Sequence, residues 1–122
     1  VLCSTAVRTR ATLALVLPEL DDPAPPVRFA DELYLVAAPE LLDAVRAVAG
    51  TPRTLLVVGH NPGIHLLANA LVARGRHEQQ SALRHRMPTA GLAIICFDVD
   101  YWRDVAPGSG ELVDFVSPRH LT

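Results

Sequence analysis

The run Thr54-Leu55-Leu56-Val57-Val58-Gly59 constrains this 122-residue chain more than any other segment. Its large side chains are apolar without alternation, the mark of a strand covered on both faces, and strands covered in that way belong to parallel sheets. His60-Asn61-Pro62 then breaks the strand, and Ile64, Leu67, Ala68, Leu71 and Val72 recur at helical spacing, which predicts a helix ending near Gly75. A buried strand that turns at once into a helix is one unit of an α/β fold.

The same unit recurs elsewhere. Val1 to Cys3 reads as a short apolar strand, Ser4 as the N-cap that follows it, and Thr5 to Leu17 as a helix. Pro18 to Pro26 holds four prolines and the pair Asp21 and Asp22, so that helix cannot continue and a surface loop is expected. Val27 to Phe29 suits a short strand. A further helix starts at Pro39, carries Leu41, Leu42, Val45 and Val48 on one face, and runs to about Ala49 with Gly50 as its stop. Arg74 to Arg86 is polar and basic, an exposed helix or loop. Ala90 to Phe97 reads as another buried strand and Leu112 to Val116 as a last one. Strands alternating with helices predict an α/β sandwich with a largely parallel sheet, in one domain spanning residues 1–122.

Composition narrows the function classes. Basic and acidic residues number 11 and 13, and every basic one is arginine, so no strong field for nucleic acid or membrane surfaces is present. No apolar run approaches the roughly 20 residues that span a bilayer. Cys3 and Cys96 both fall in apolar strand-like segments with no signal peptide nearby, which predicts buried, reduced thiols in a cytoplasmic protein.

The two strand-to-helix junctions, Cys3-Ser4-Thr5-Ala6-Val7-Arg8 and Val58-Gly59-His60-Asn61-Pro62-Gly63, carry the chemistry. In an α/β sheet such junctions line the ligand crevice, and the N–H groups at a helix start attract anions. Arg8 and Arg10 fall early in their helix, where a cation opposes the helix dipole at a cost of about 0.3–1 kcal/mol if exposed. An anion before the helix would explain them, with Arg8 the nearer to the strand end; two solvated surface arginines remain an alternative. His60 follows a buried strand into a tight turn, so its imidazole is expected to face the crevice, where it can donate a hydrogen bond or exchange a proton.

Other chemistries fit poorly. Neither Arg8 nor Arg10 stands at the spacing from Cys3 that a cysteine phosphatase requires, and the intervening residues include no glycine for a phosphate cradle. His60 and His65 lie five apart, on different faces of a helix, and the cysteines have no paired ligands, so no metal site is expected. His77 and His85 sit in the polar basic segment, and His120 lies near the C-terminus without an evident partner. No nucleotide-binding glycine pattern or serine elbow occurs, and no cofactor is expected.

Taken together, Ser4-Thr5-Ala6-Val7-Arg8-Thr9-Arg10-Ala11-Thr12 resembles the Ser-x-x-x-Arg-x-x-x-Thr segment of the histidine phosphatase superfamily. Val57-Val58-Gly59-His60-Asn61-Pro62-Gly63 resembles the second-histidine motif of its SixA-like members. Met87 to Ala93 with Trp102, and Phe115-Val116-Ser117-Pro118-Arg119, are similar to the end of the same domain, so the resemblance runs the length of the chain. It implies a three-layer α/β/α sandwich of the phosphoglycerate-mutase-like kind. It also implies a phosphatase that acts through a phosphohistidine intermediate on a phosphorylated protein or a small phosphorylated molecule. Arg8 would clamp the phosphoryl group, Ser4 would assist in binding it, and His60 would stabilise its charge. Asp31 or Glu32 would be the candidate acid for the leaving group. The family's nucleophile stands in an Arg-His-Gly motif on the first strand, and no such motif occurs in these residues. The expectation is therefore that an upstream strand and nucleophile loop are missing from the chain, which alone would be inactive. A non-catalytic phosphate-binding or interaction domain, and a phosphoglycerate-mutase-like mutase, are the alternatives.

Overall fold

A computed structural model describes residues 1–20, 23–50 and 52–121. Asp21 and Asp22, in the proline-rich loop, and the side chain of His120 lie outside the described residues. The elements in order are β1 (Leu2–Ser4), α1 (Val7–Val16), β2 (Arg28–Ala30), α2 (Ala38–Arg46), β3 (Val57–Val58), α3 (Gly63–Leu71), β4 (Val72–Gly75), α4 (His77–His85), β5 (Leu92–Cys96) and β6 (Gly110–Val116). Short 3-10 turns occupy Leu17–Glu19, Asp31–Leu33, Trp102–Asp104 and Pro118–Leu121.

The strands form two three-stranded sheets, ordered β2-β1-β3 and β4-β6-β5. The first is wholly parallel, with Cys3 opposite both Phe29 and Val58. In the second, β4 runs parallel to β6 while β5 pairs with it in the antiparallel sense. The chain thus has the α/β architecture expected of it.

One helix joins the halves. Leu67 and Leu71 of α3 enter a cluster with Leu2, Ala30, Leu33, Leu41 and Val105 beside the first sheet, and Ala68 enters another with Leu83, Leu112 and Phe115 beside the second. The i, i+1, i+4 placement of these three residues turns neighbouring faces of a single helix toward both clusters. No helix among the described residues is long and apolar enough to cross a membrane.

Several local expectations are corrected by pairing. The helix after His60 ends at Leu71 instead of near Gly75, because Val72, Arg74 and Gly75 are drawn into a ladder with Gly110, Glu111 and Leu112. Backbone pairing there overrides side-chain periodicity. Thr54 to Gly59 has only a two-residue ladder, at Val57–Val58, and these residues are half-buried instead of covered on both faces. Among the described residues β3 has one neighbour, β1, itself three residues long. The most buried strand is the short β1 in the centre of its sheet, where Leu2, Cys3 and Ser4 are almost wholly enclosed. β5 is likewise an edge strand with alternate residues exposed, so Cys96 is exposed while Cys3 is buried. Both thiols are free, and burial raises the pKa of Cys3 above its ordinary value.

Candidate phosphate site

Because β1, β2 and β3 run parallel, their C-terminal ends open at the same edge of the sheet, and the segments that follow them converge there. Thr5 and Ala6 come from the turn after β1, Val7 and Arg8 from the first turn of α1, Tyr34 and Leu35 from the segment after β2, and His60 from the turn after β3. Together these seven residues line an open cavity of about 560 Å³.

Ser4 and His60, 56 residues apart in sequence, share a hydrogen bond of 2.8 Å between Ser4 Oγ and His60 Nε2. Ser4 is fully buried, not displayed to the cavity. It also does not cap α1, whose N-cap is Ala6 without a side-chain bond, although the Ala6 N–H donates to Ser4 Oγ at 3.4 Å. A hydroxyl has one donor and two acceptor positions, so Ser4 can take the Ala6 N–H and still serve either tautomer of His60. The Thr9 hydroxyl donates to the carbonyls of Ser4 (2.8 Å) and Ala6 (3.0 Å), which holds the turn itself.

On its other side His60 meets the Tyr34 ring edge-on, with centroids 5.6 Å apart and planes at 65°. Held between Ser4 and Tyr34, the imidazole keeps Nδ1 without a hydrogen-bond partner among the described residues. Replacing Ser4 with alanine removes one of these two restraints, and a loss of about 1–2 kcal/mol in urea denaturation is expected. A variant as stable as the parent would show that the buried hydroxyl contributes nothing to holding His60.

The two arginines early in α1 take different roles. Arg8 is exposed and lines the cavity, and its guanidinium has no hydrogen bond or ion pair among the described residues. Arg10 turns away: its Nε donates to the Thr5 carbonyl at 2.9 Å and its guanidinium lies 4.3 Å from the centre of the Phe29 ring. An uncompensated cation in the first turn of α1 is unfavourable with respect to the helix dipole and becomes favourable when an anion occupies the cavity.

Neither candidate acid is among the cavity-lining residues. Glu32 pairs with Arg28, and its own backbone N–H together with that arginine pulls its pKa below the ordinary carboxylate value. A general acid needs the opposite shift. Asp31 opens the same 3-10 turn and is exposed. The other described histidines are occupied or remote: the His65 ring bonds the Leu83 carbonyl, and His77 and His85 are exposed on α4. No cluster of three or more metal-ligating side chains occurs among the described residues.

Sequence reasoning did not single out Tyr34 or Leu35. The signal for them is positional, since they follow a strand parallel to β1 and so had to arrive at the same sheet edge. Leu35 also has a left-handed backbone (φ 50°), which a branched side chain seldom adopts and which costs on the order of 1 kcal/mol.

Comparison with known proteins places these features in context. No protein-family model matches the chain. Uncharacterized protein Rv1276c of Mycobacterium tuberculosis (strain ATCC 25618 / H37Rv) is 39% identical over 121 residues, covering 98% of this chain and 73% of its own length. Uncharacterized protein ML1117 of Mycobacterium leprae (strain TN) is 32% identical over 120 residues, covering 98% and 71%. A solved structure from Nakamurella multipartitia, named as a "Putative Phosphohistidine Phosphatase SixA", superposes with a TM-score of 0.80 at 32% identity, covering 96% of this chain and 69% of that one.

Proposed function

The chain belongs to the histidine phosphatase superfamily, and from that premise we propose that it forms the phosphate-binding part of a SixA-like phosphatase. The observation that carries this reading is the convergence of Arg8 and His60 on one cavity, with His60 held by the buried Ser4. The substrate is a phosphorylated protein, phosphohistidine above all, or a small phosphorylated molecule.

In this reading the Arg8 guanidinium receives two phosphoryl oxygens in its planar fork, and His60 donates to a third oxygen as charge develops on it. In this reading the nucleophile is the histidine of the family's Arg-His-Gly motif, a motif that does not occur in these 122 residues. Its ring nitrogen bonds to phosphorus while the bond to the leaving group breaks, the leaving group taking the electron pair and then a proton from solvent. Water next bonds to phosphorus, the nitrogen–phosphorus bond breaks, and phosphate and a proton are released. Ser4 positions His60 and touches no substrate. With two free thiols and this chemistry, a cytoplasmic setting fits the reading.

The test uses the full-length gene product. Phosphate release from phosphohistidine-bearing protein or acetyl phosphate, with an acid-labile phosphoryl group trapped on the enzyme, is the expected result. Tight phosphate binding without turnover of any donor would replace this reading with a non-catalytic phosphate-binding domain. Transfer of the group between positions of a phosphoglycerate would instead favour a mutase.

A further inference from the structure

The turn that carries His60 follows the first sheet but is also tied to the second. Asn61 Nδ2 donates to the Met87 carbonyl at 2.8 Å, across 26 residues of sequence. Met87 is a firm anchor. Just before it the Arg86 N–H closes α4 on the Ala82 carbonyl, and its own half-buried side chain packs against Ala68, Leu83, Leu112 and Phe115. Just after it the Gly91 N–H closes a turn on the Pro88 carbonyl at 2.9 Å, and β5 follows.

On the other flank, the His60 and Pro62 carbonyls accept from the Ile64 and Leu66 N–H groups, both at 2.9 Å, so α3 holds the turn from its C-terminal side. Ser4 and Tyr34 restrain the imidazole, but neither contact fixes the backbone from which it projects. Asn61 sets that backbone against the Met87 segment. The Asn61 side chain is exposed and is not among the cavity-lining residues. An exposed amide bonded to a carbonyl adds little to stability, because water takes up both partners once the bond is lost. Its geometric effect is larger, since a displacement of about 1 Å near a reacting centre can cost on the order of 10²-fold in rate.

Building on the phosphatase reading, we infer that Asn61 is a positioning residue, which acts through His60 by locking the turn between β3 and α3 onto Met87. It touches no substrate. Ser4 orients the ring, and Asn61 places the backbone that carries it, so the distance from His60 to the phosphoryl group held by Arg8 depends on a contact with the second sheet.

Hydrolysis of acetyl phosphate by the full-length protein tests this with Asn61→Ala and Asn61→Asp, the second keeping the shape but losing the donor and turning a carboxylate oxygen toward the Met87 carbonyl. Each should lower kcat by about tenfold, leave KM within about threefold because Arg8 still holds the phosphoryl group, and shift Tm by less than about 4 °C. In a His60→Ala background, Asn61→Ala should cost less than about twofold further, because a residue that acts through His60 then has nothing left to position. An equal loss in both backgrounds, a larger fall in Tm, or an unchanged kcat in both single variants would overturn the inference and leave the phosphatase reading standing. No phosphate release by the parent protein would overturn both.

Discussion

Arg8→Ala in the full-length protein is expected to lower kcat/KM on acetyl phosphate by about 10²–10³, the loss typical of removing a preorganised donor from a developing charge. Arg8 lies in the first turn of α1, lines the cavity and is unpaired among the described residues, so its charge has no internal use that the substitution would disturb. Arg8→Lys should recover part of the loss, because an ammonium keeps the charge without the two-pronged fork. Arg10→Ala supplies the control: two residues away on the same helix, its guanidinium rests on Phe29 and its Nε on the Thr5 carbonyl, and less than about a threefold change is expected. Equal losses at the two positions would mean that general positive charge near α1 matters, and that no specific clamp exists.

Gly63→Ala is the substitution expected to cost most in stability relative to its size, about 1–3 kcal/mol in urea denaturation. A Cβ at Gly63 would stand 2.3 Å from the Val36 carbonyl oxygen and 3.3 Å from Leu41 Cδ1. The nearer atom is backbone and cannot rotate aside, so α3 or the segment after Tyr34-Leu35 would have to shift. Gly59→Ala, four residues earlier in the same motif, meets nothing nearer than Ile64 Cδ1 at 3.6 Å and should be close to neutral. Two glycines that look alike as turn residues in the sequence thus separate by what lies across from them. Indistinguishable stabilities for the two variants would show that α3 is not seated against Val36 as described.

The fold class and both site-bearing junctions were legible in the sequence because their signals are local. An apolar run, a turn residue and a helical stripe follow one another along the chain at Val57–Leu71, and more briefly at Leu2–Val16. His60 in the turn after β3 and Arg8 in the first turn after β1 come from that order alone. The resemblance to a known superfamily was carried by the same segments.

What packing alone decided concerns partners far apart in the chain. The apolar run at Thr54 to Gly59 promised a long buried strand, yet its ladder is limited by the length of β1; the helix from Gly63 stops at Leu71 because Gly110 to Leu112 pair with the residues that follow. Ser4 looked like a helix cap and became the buried support of His60, since only the parallel register of β1 with β3 brings those side chains within 2.8 Å. Local order put Arg8 nearer the strand end than Arg10, but the contact that turns Arg10 away comes from Phe29, on the neighbouring strand. Short-range patterns specify which element forms, because propensity and periodicity act between residues a few positions apart. The shape of the cavity, and which side chains share it, depend on contacts across 25 residues or more, as between Arg8, Tyr34 and His60, and no local pattern encodes those.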